Sequence, residues 1–159
     1  MTRRIFAFLV ITALLGGCGP KAEKKPQATA LDQAFDAAKQ DPAQRENYYR
    51  TFLNADILVP TTDLAALTGE NAAGEKKTFA PVILPAADGK QFLMIFDTEE
   101  RLAAWAKRKI GFVTFKGSKL AEAMDPQYHW VLNWGTSYRR QFTPDDIRWL
   151  KQADPQKAG

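Results

Sequence analysis

The chain has 159 residues, one cysteine, one histidine and a formal net charge of +4 from 22 basic and 18 acidic side chains. A single Cys excludes an internal disulfide and any Cys-based metal centre. Five of the 22 basic residues (Arg3, Arg4, Lys21, Lys24, Lys25) and one of the 18 acidic ones (Glu23) precede Ala30, leaving 17 of each behind it. The folded part is therefore neutral and carries no electrostatic footprint for nucleic acid.

The first eighteen residues read as an export leader. Arg3 and Arg4 precede an apolar run from Ile5 to Leu15, interrupted only by Thr12, and Gly16-Gly17-Cys18 follows. A basic start, an apolar middle and small residues at the cut are the layout of a secretory signal. A spanning helix needs about 20 apolar residues, more than this run contains. Leu15-Gly16-Gly17-Cys18 resembles the lipobox of bacterial lipoproteins, in which the Cys is lipidated and becomes the first residue of the mature chain. The only thiol of the sequence stands where acylation needs a nucleophile, which argues against a plain signal with a coincidental Cys. The resemblance implies several acyl chains at Cys18. Each buried CH₂ contributes about 0.8 kcal/mol, and two chains suffice for stable anchoring. Gly19 stands where an Asp would signal inner-membrane retention, so the resemblance implies the periplasmic face of the outer membrane.

Residues 18–29 are the lipidated Cys and a tether rich in Lys, Ala, Pro and Gln, with a reach on the order of 20 Å. Lys21, Lys24 and Lys25 either attract an anionic leaflet, at up to about 1 kcal/mol each, or only keep a solvated linker extended. The domain is expected over 30–153, with a frayed tail at 154–159. Roughly 130 residues suffice for one domain that buries about two-thirds of its unfolded surface.

Leu31, Ala34, Phe35 and Ala38 predict a helix over Leu31–Gln40. Asp41-Pro42 ends it and starts a second helix to about Asn54, whose Tyr48, Tyr49, Phe52 and Leu53 form a core face. Asp56–Pro60 reads as a strand. Thr61–Lys77 reads as a mobile loop, with Leu64–Leu67 its one candidate helical turn. Phe79–Leu84 and Gln91–Phe96 form a hairpin around Asp88-Gly89. Pro81 puts the first of these at an edge, and the apolar second strand belongs at the centre.

Asp97 is expected to cap the next helix, paired with Glu100. Leu102, Trp105, Ala106 and Ile110 form its buried face, and Gly111 stops it. Phe112–Phe115 follows as a strand, predicting a parallel right-handed crossover from Gln91–Phe96. Gly117-Ser118 opens a short helix. Tyr128–Trp134 is a strand with Tyr128, Trp130, Leu132 and Trp134 on one face and His129, Val131 and Asn133 on the other. The chain turns at Gly135-Thr136 and returns over Tyr138–Phe142, where Arg139 and Arg140 protect a sheet edge. Thr143-Pro144-Asp145-Asp146 starts the last helix.

Chemistry-bearing patterns are few. His129 has no orienting partner at a readable spacing, so a structural role competes with that of a general base in an envelope enzyme. No zinc-ligand spacing, Gly-rich phosphate loop or nucleophile elbow occurs, so no metal or cofactor is expected.

Leu31…Asp41-Pro42…Arg45…Tyr49…Phe52-Leu53, Val59-Pro60, Phe96-Asp97-Thr98-Glu99-Glu100-Arg101-Leu102, Trp105-Ala106, Val131-Leu132-Asn133-Trp134-Gly135 and Phe142-Thr143-Pro144-Asp145-Asp146-Ile147 together resemble the SseB N-terminal domain family, of the enhanced-serine-sensitivity type. The likeness runs from Leu31 to Leu150. It implies an α+β domain and a non-enzymatic role, with no catalytic residues. The family pattern has Asn-Pro-Gly where this chain has Asn133-Trp134-Gly135, and its members are usually cytoplasmic.

The expected fold is thus a single α+β domain, a mixed sheet of five or six strands flanked by helices. The expected function is a binding or scaffolding module, held at the membrane by Cys18, with an envelope protein as partner. Asn133, Gly135, Tyr138 and Arg139 are its candidate binding residues, because polar turns on a rigid sheet tend to carry function. The alternatives are an envelope enzyme using His129 and a purely structural lipoprotein.

Overall fold

Thr29 closes a capping box on helix α1 (Ala30–Gln40). Its hydroxyl accepts from the Asp32 N–H at 3.1 Å, and Asp32 accepts from the Thr29 N–H at 2.9 Å. The computed structural model describes residues 28–62 and 80–153. The expected leader, nearly all of the tether, the loop after Thr62 and the tail lie outside the described residues. Asp41 ends α1, and its side chain accepts from the Ala43 N–H at 2.9 Å. Pro42 then opens a 3₁₀ turn, Pro42–Gln44, that leads into α2 (Arg45–Asn54). The predicted core face of α2 is buried, with Phe52 wholly so.

Strands β1 (Asp56–Thr61), β2 (Ile83–Pro85) and β3 (Gln91–Ile95) precede α3 (Glu99–Ala106). β4 (Gly111–Lys116), α4 (Gly117–Ala123), β5 (His129–Leu132), β6 (Arg140–Phe142) and α5 (Pro144–Gln152) follow. The result is a single α+β domain. Four strands lie in the order β2-β3-β5-β6, with β3 and β5 parallel and the other pairs antiparallel. β1 and β4 form an antiparallel ribbon. Backbone bonds between Leu58 and Phe96, at 2.7 and 2.9 Å, and a bridge from Thr61 to Pro81 join the ribbon to the larger sheet.

Several local expectations are corrected. The strand after α3 does not pair with β3. β4 turns to β1, and the parallel partner of β3 is β5, so the crossover contains β4 and both α3 and α4. Thr98, not Asp97, caps α3, its hydroxyl accepting from the Arg101 N–H at 3.3 Å. The helix ends before Gly111, at Lys107, which adopts the left-handed conformation with φ 53°. Tyr128, Asn133, Trp134, Tyr138 and Arg139 fall outside the strands. The β5–β6 connection spans Asn133–Arg139, tied by Thr136, whose N–H and hydroxyl both donate to the Asn133 carbonyl at 3.2 and 2.9 Å.

The sheet has unequal faces. Leu93, Ile95, Trp130, Leu132 and Phe142 point into a large core built with α1, α2, α4 and α5. Met94 and Val131 point the other way, into a smaller cluster to which α3 and the β1–β4 ribbon contribute Leu58, Leu102, Trp105 and Phe112. Four helices seal one face, and a single helix covers part of the other. α4 reaches the large core through a close crossing over α2. The Gly117 N–H donates to the Ala55 carbonyl at 3.0 Å, and a Cβ at Gly117 would lie 2.0 Å from the Phe52 carbonyl oxygen.

Candidate functional site

The four predicted binding residues divide into an inner and an outer pair. Asn133 is 1% exposed. Its N–H donates to the Ile95 carbonyl at 3.0 Å, and its side-chain oxygen accepts from the Asp97 N–H at 3.2 Å. With φ 53° it holds a backbone conformation that Asn tolerates better than most side chains. Tyr138 packs on Phe35 and lies against the Arg101 guanidinium, 5.1 Å from its ring centre.

That guanidinium is the hub of a buried ion cluster. It donates to both Asp32 oxygens, at 2.9 and 2.6 Å, and to both Asp97 oxygens at 2.8 Å. Thr29 adds a hydroxyl bond to Asp97 at 3.0 Å. Burial works against the charge of Arg101, but the bond to Asp32 and the nearby Asp97 outweigh it and raise its pKa. Asn133 and Tyr138 therefore brace the joint between α1, α3 and the sheet, Asn133 from a buried position and Tyr138 from a half-buried one.

The outer pair lies elsewhere. Gly135 continues the turn with φ 84°. Arg139 stacks its guanidinium 4.9 Å from the Trp134 ring centre. The left-handed step at Asn133 breaks strand alternation, so Trp134 does not join Trp130 and Leu132. It lines a cleft with Val131, on the thinly covered face of the sheet. Trp134 and Leu84 are the large apolar side chains left exposed among the described residues, at 47% and 42%, and both line this cleft. Its volume is about 480 Å³, and Pro85, Ala86, Phe92, Met94 and Trp105 form the rest of its apolar wall. Arg139 and Gln141 supply its polar groups. Arg139 has no carboxylate partner among the described residues. Lys107, Arg108 and Lys109, all exposed, follow Trp105 closely in the chain. An apolar trough beside an unpaired guanidinium suits an apolar side chain with a neighbouring anion.

His129 is half-buried. Its Nδ1 lies 3.3 Å from the Gln141 amide nitrogen, and its ring 5.3 Å from Phe92. The structure thus gives it an amide and an aromatic neighbour in place of the carboxylate a general base would use. Among the described residues no cluster of three potential metal ligands occurs, and no helix is long and apolar enough to cross a membrane.

A second polar constellation joins α2 to α5. The Tyr49 hydroxyl donates to Asp146 at 2.5 Å and accepts from Arg45 Nε and Nη2 and from Arg140 Nη2, at 3.0, 2.9 and 3.1 Å. The other Asp146 oxygen accepts from the Thr143 N–H and hydroxyl, each at 2.9 Å. Burial alone would raise the Asp146 pKa, but the bonds from Tyr49 and Thr143 and the charge of Arg140 hold it below the usual carboxylate value. The sequence pattern places Tyr49 in the core and Asp146 in a helix cap, and both placements are correct. Their meeting, the reach of Arg45 to Asp146 and the part of Arg140 have no local sequence signal.

Residues 31–149 match the family model of the SseB protein N-terminal domain. No curated protein and no solved structure matches the chain.

Proposed function

The chain belongs to the SseB N-terminal domain family, and from that premise we propose that it is a membrane-tethered bacterial lipoprotein whose domain is a non-enzymatic binding module. Cys18 carries the lipid anchor, and the partner is an envelope protein reached from the periplasmic face of the outer membrane. One observation supports the recognition face most strongly. Both exposed large apolar side chains, Trp134 and Leu84, line the same cleft, beside an Arg139 that no described carboxylate neutralises. Isolated exposed apolar residues are ordinary on protein surfaces, whereas two on one concave face with a fixed cation suit a partner segment. The complementary segment inserts an apolar side chain between Trp134 and Leu84 and sets a carboxylate on Arg139.

Two measurements test the reading separately. Cys18→Ser is expected to block lipidation; a variant that still fractionates with membranes as a processed mature chain overturns the anchor. A photo-crosslinking residue at Leu84 is expected to capture one envelope protein, and Arg139→Glu to abolish the capture. Capture unaffected by Arg139→Glu, or none at all, overturns the cleft as the recognition face and leaves a structural lipoprotein.

A further inference from the structure

A smaller cavity, of about 200 Å³, lies between α1, the 3₁₀ turn, α2 and β6. Lys39, Arg45, Tyr48 and Arg140 line it together with Phe35, Ala38 and Pro42, and no carboxylate does. Two buried donors in this lining have no hydrogen-bond partner: the hydroxyl of Tyr48, a residue 2% exposed, and Arg140 Nε. Buried donors normally find an acceptor, and one left unmade is costly. Lys39 lies 5.6 Å from the Phe35 ring centre and has no carboxylate partner among the described residues. Arg45 and Arg140 share one nearby carboxylate, Asp146, whose other oxygen is taken by Thr143. The lining therefore holds three cations, two unmet donors and no carboxylate.

We propose that this cavity binds a small oxyanion, a carboxylate or a phosphate group, held by Arg140, Tyr48 and Lys39. A guanidinium and a hydroxyl are the donors that such oxygens accept best. The volume exceeds the roughly 30 Å³ share of one water and admits inorganic phosphate or a small carboxylic acid, too little for a nucleotide. Burial raises the Tyr48 pKa, so its hydroxyl stays protonated as a donor. Phe35 and Ala38 add an apolar wall for the carbon end of a carboxylic acid. The site shares no lining residue with the Trp134 cleft and stands independently of the proposed docking face.

The test titrates the purified full chain with inorganic phosphate, with acetate and with succinate, each against chloride at matched ionic strength. Melting temperature and the nitrogen-15 resonance of the arginine Nε–H groups are followed. At least one oxyanion is expected to raise the melting temperature saturably and to move the Arg140 Nε–H resonance. The phosphate and carboxylate arms tell the two sources apart, and a saturable response to either supports the site. Tyr48→Phe, which keeps the ring, is expected to weaken that response about tenfold, the size of one lost charge-assisted hydrogen bond. Lys39→Ala, at an exposed position, keeps the fold and is expected to weaken it about threefold, and less in high salt. Responses no larger than those to chloride overturn the site. So does binding in Lys39→Ala equal to the unaltered chain without movement of the Arg140 resonance, which would mean an adventitious ion only.

Discussion

The Arg101 guanidinium reaches the Asp32 carboxylate across 69 residues of sequence and makes both parallel bonds of a bidentate pair, at 2.9 and 2.6 Å. Their side chains are 9% and 1% exposed. Asp97 completes the arrangement from the turn of chain just before α3. A buried charge deprived of its partner costs more than the pair contributed, because desolvation is no longer offset. Arg101→Met, which strands two carboxylates, is expected to destabilise the domain by about 3–5 kcal/mol. The Arg101→Met, Asp32→Leu, Asp97→Leu triple variant, which strands none, is expected to recover much of that loss. Urea midpoints of the two proteins check the difference.

Gly117 has no room for a side chain. A methyl group there meets the Phe52 carbonyl at 2.0 Å, and backbone cannot rotate aside as a side chain can. Gly117→Ala is expected to cost roughly 1–3 kcal/mol or more by overpacking, although Ala is the better helix former. Gly89→Ala, at a hairpin turn with open space around it, suffers only the strain of φ 81°, about 1–2 kcal/mol. Thermal unfolding of both variants ranks them.

Stability against pH has two limbs with separate causes. The Asp146 carboxyl is depressed below its unfolded value, so its contribution is complete above about pH 4 and is lost as pH falls through the folded value. Asp146→Asn is expected to lower stability at neutral pH and to flatten the acid limb. Tyr48 and Tyr49 are raised, by burial first, so their contribution is complete below about pH 10 and is lost as pH rises further. Tyr49→Phe is expected to flatten the alkaline limb. Denaturant midpoints from pH 2.5 to 11 reveal both.

Asn133 sets where Trp134 goes. Asn133→Ala loses the bond to the Asp97 N–H and strains the left-handed backbone, whereas Asn133→Gly loses the bond and relieves the strain. Ala is expected to be the worse substitution by about 1–2 kcal/mol. In the Gly variant, Trp134 is expected to leave its place beside Arg139 part of the time. Faster quenching of its fluorescence by acrylamide, measured against an Asn133→Gly, Trp134→Phe control, checks this.

The α+β class, the helices and strands and most caps were legible because they depend on near neighbours. Tyr48, Tyr49, Phe52 and Leu53 mark a helix face whatever covers it, and Thr143-Pro144-Asp145-Asp146 builds a cap from four consecutive residues. The family likeness rests on the same kind of local order. Asp97 shows where this runs out. Its position before a helix predicts a cap, but Thr98 does that work equally well and frees Asp97 for Arg101. Trp134 shows it again, since strand parity assigns it to the large core until one positive φ at Asn133 turns it out.

The sequence by itself determined the charge balance, the lone thiol at Cys18, the order of the elements and the core faces of its helices, because periodicity and capping are written within one or two turns of chain. Only the tertiary structure decided that β3 pairs with β5, that Asp32 meets Arg101, that Arg45 meets Asp146, and that one sheet face is left half covered. Those contacts join residues as much as 101 positions apart. They are chosen by how the layers close on one another, which no local pattern encodes.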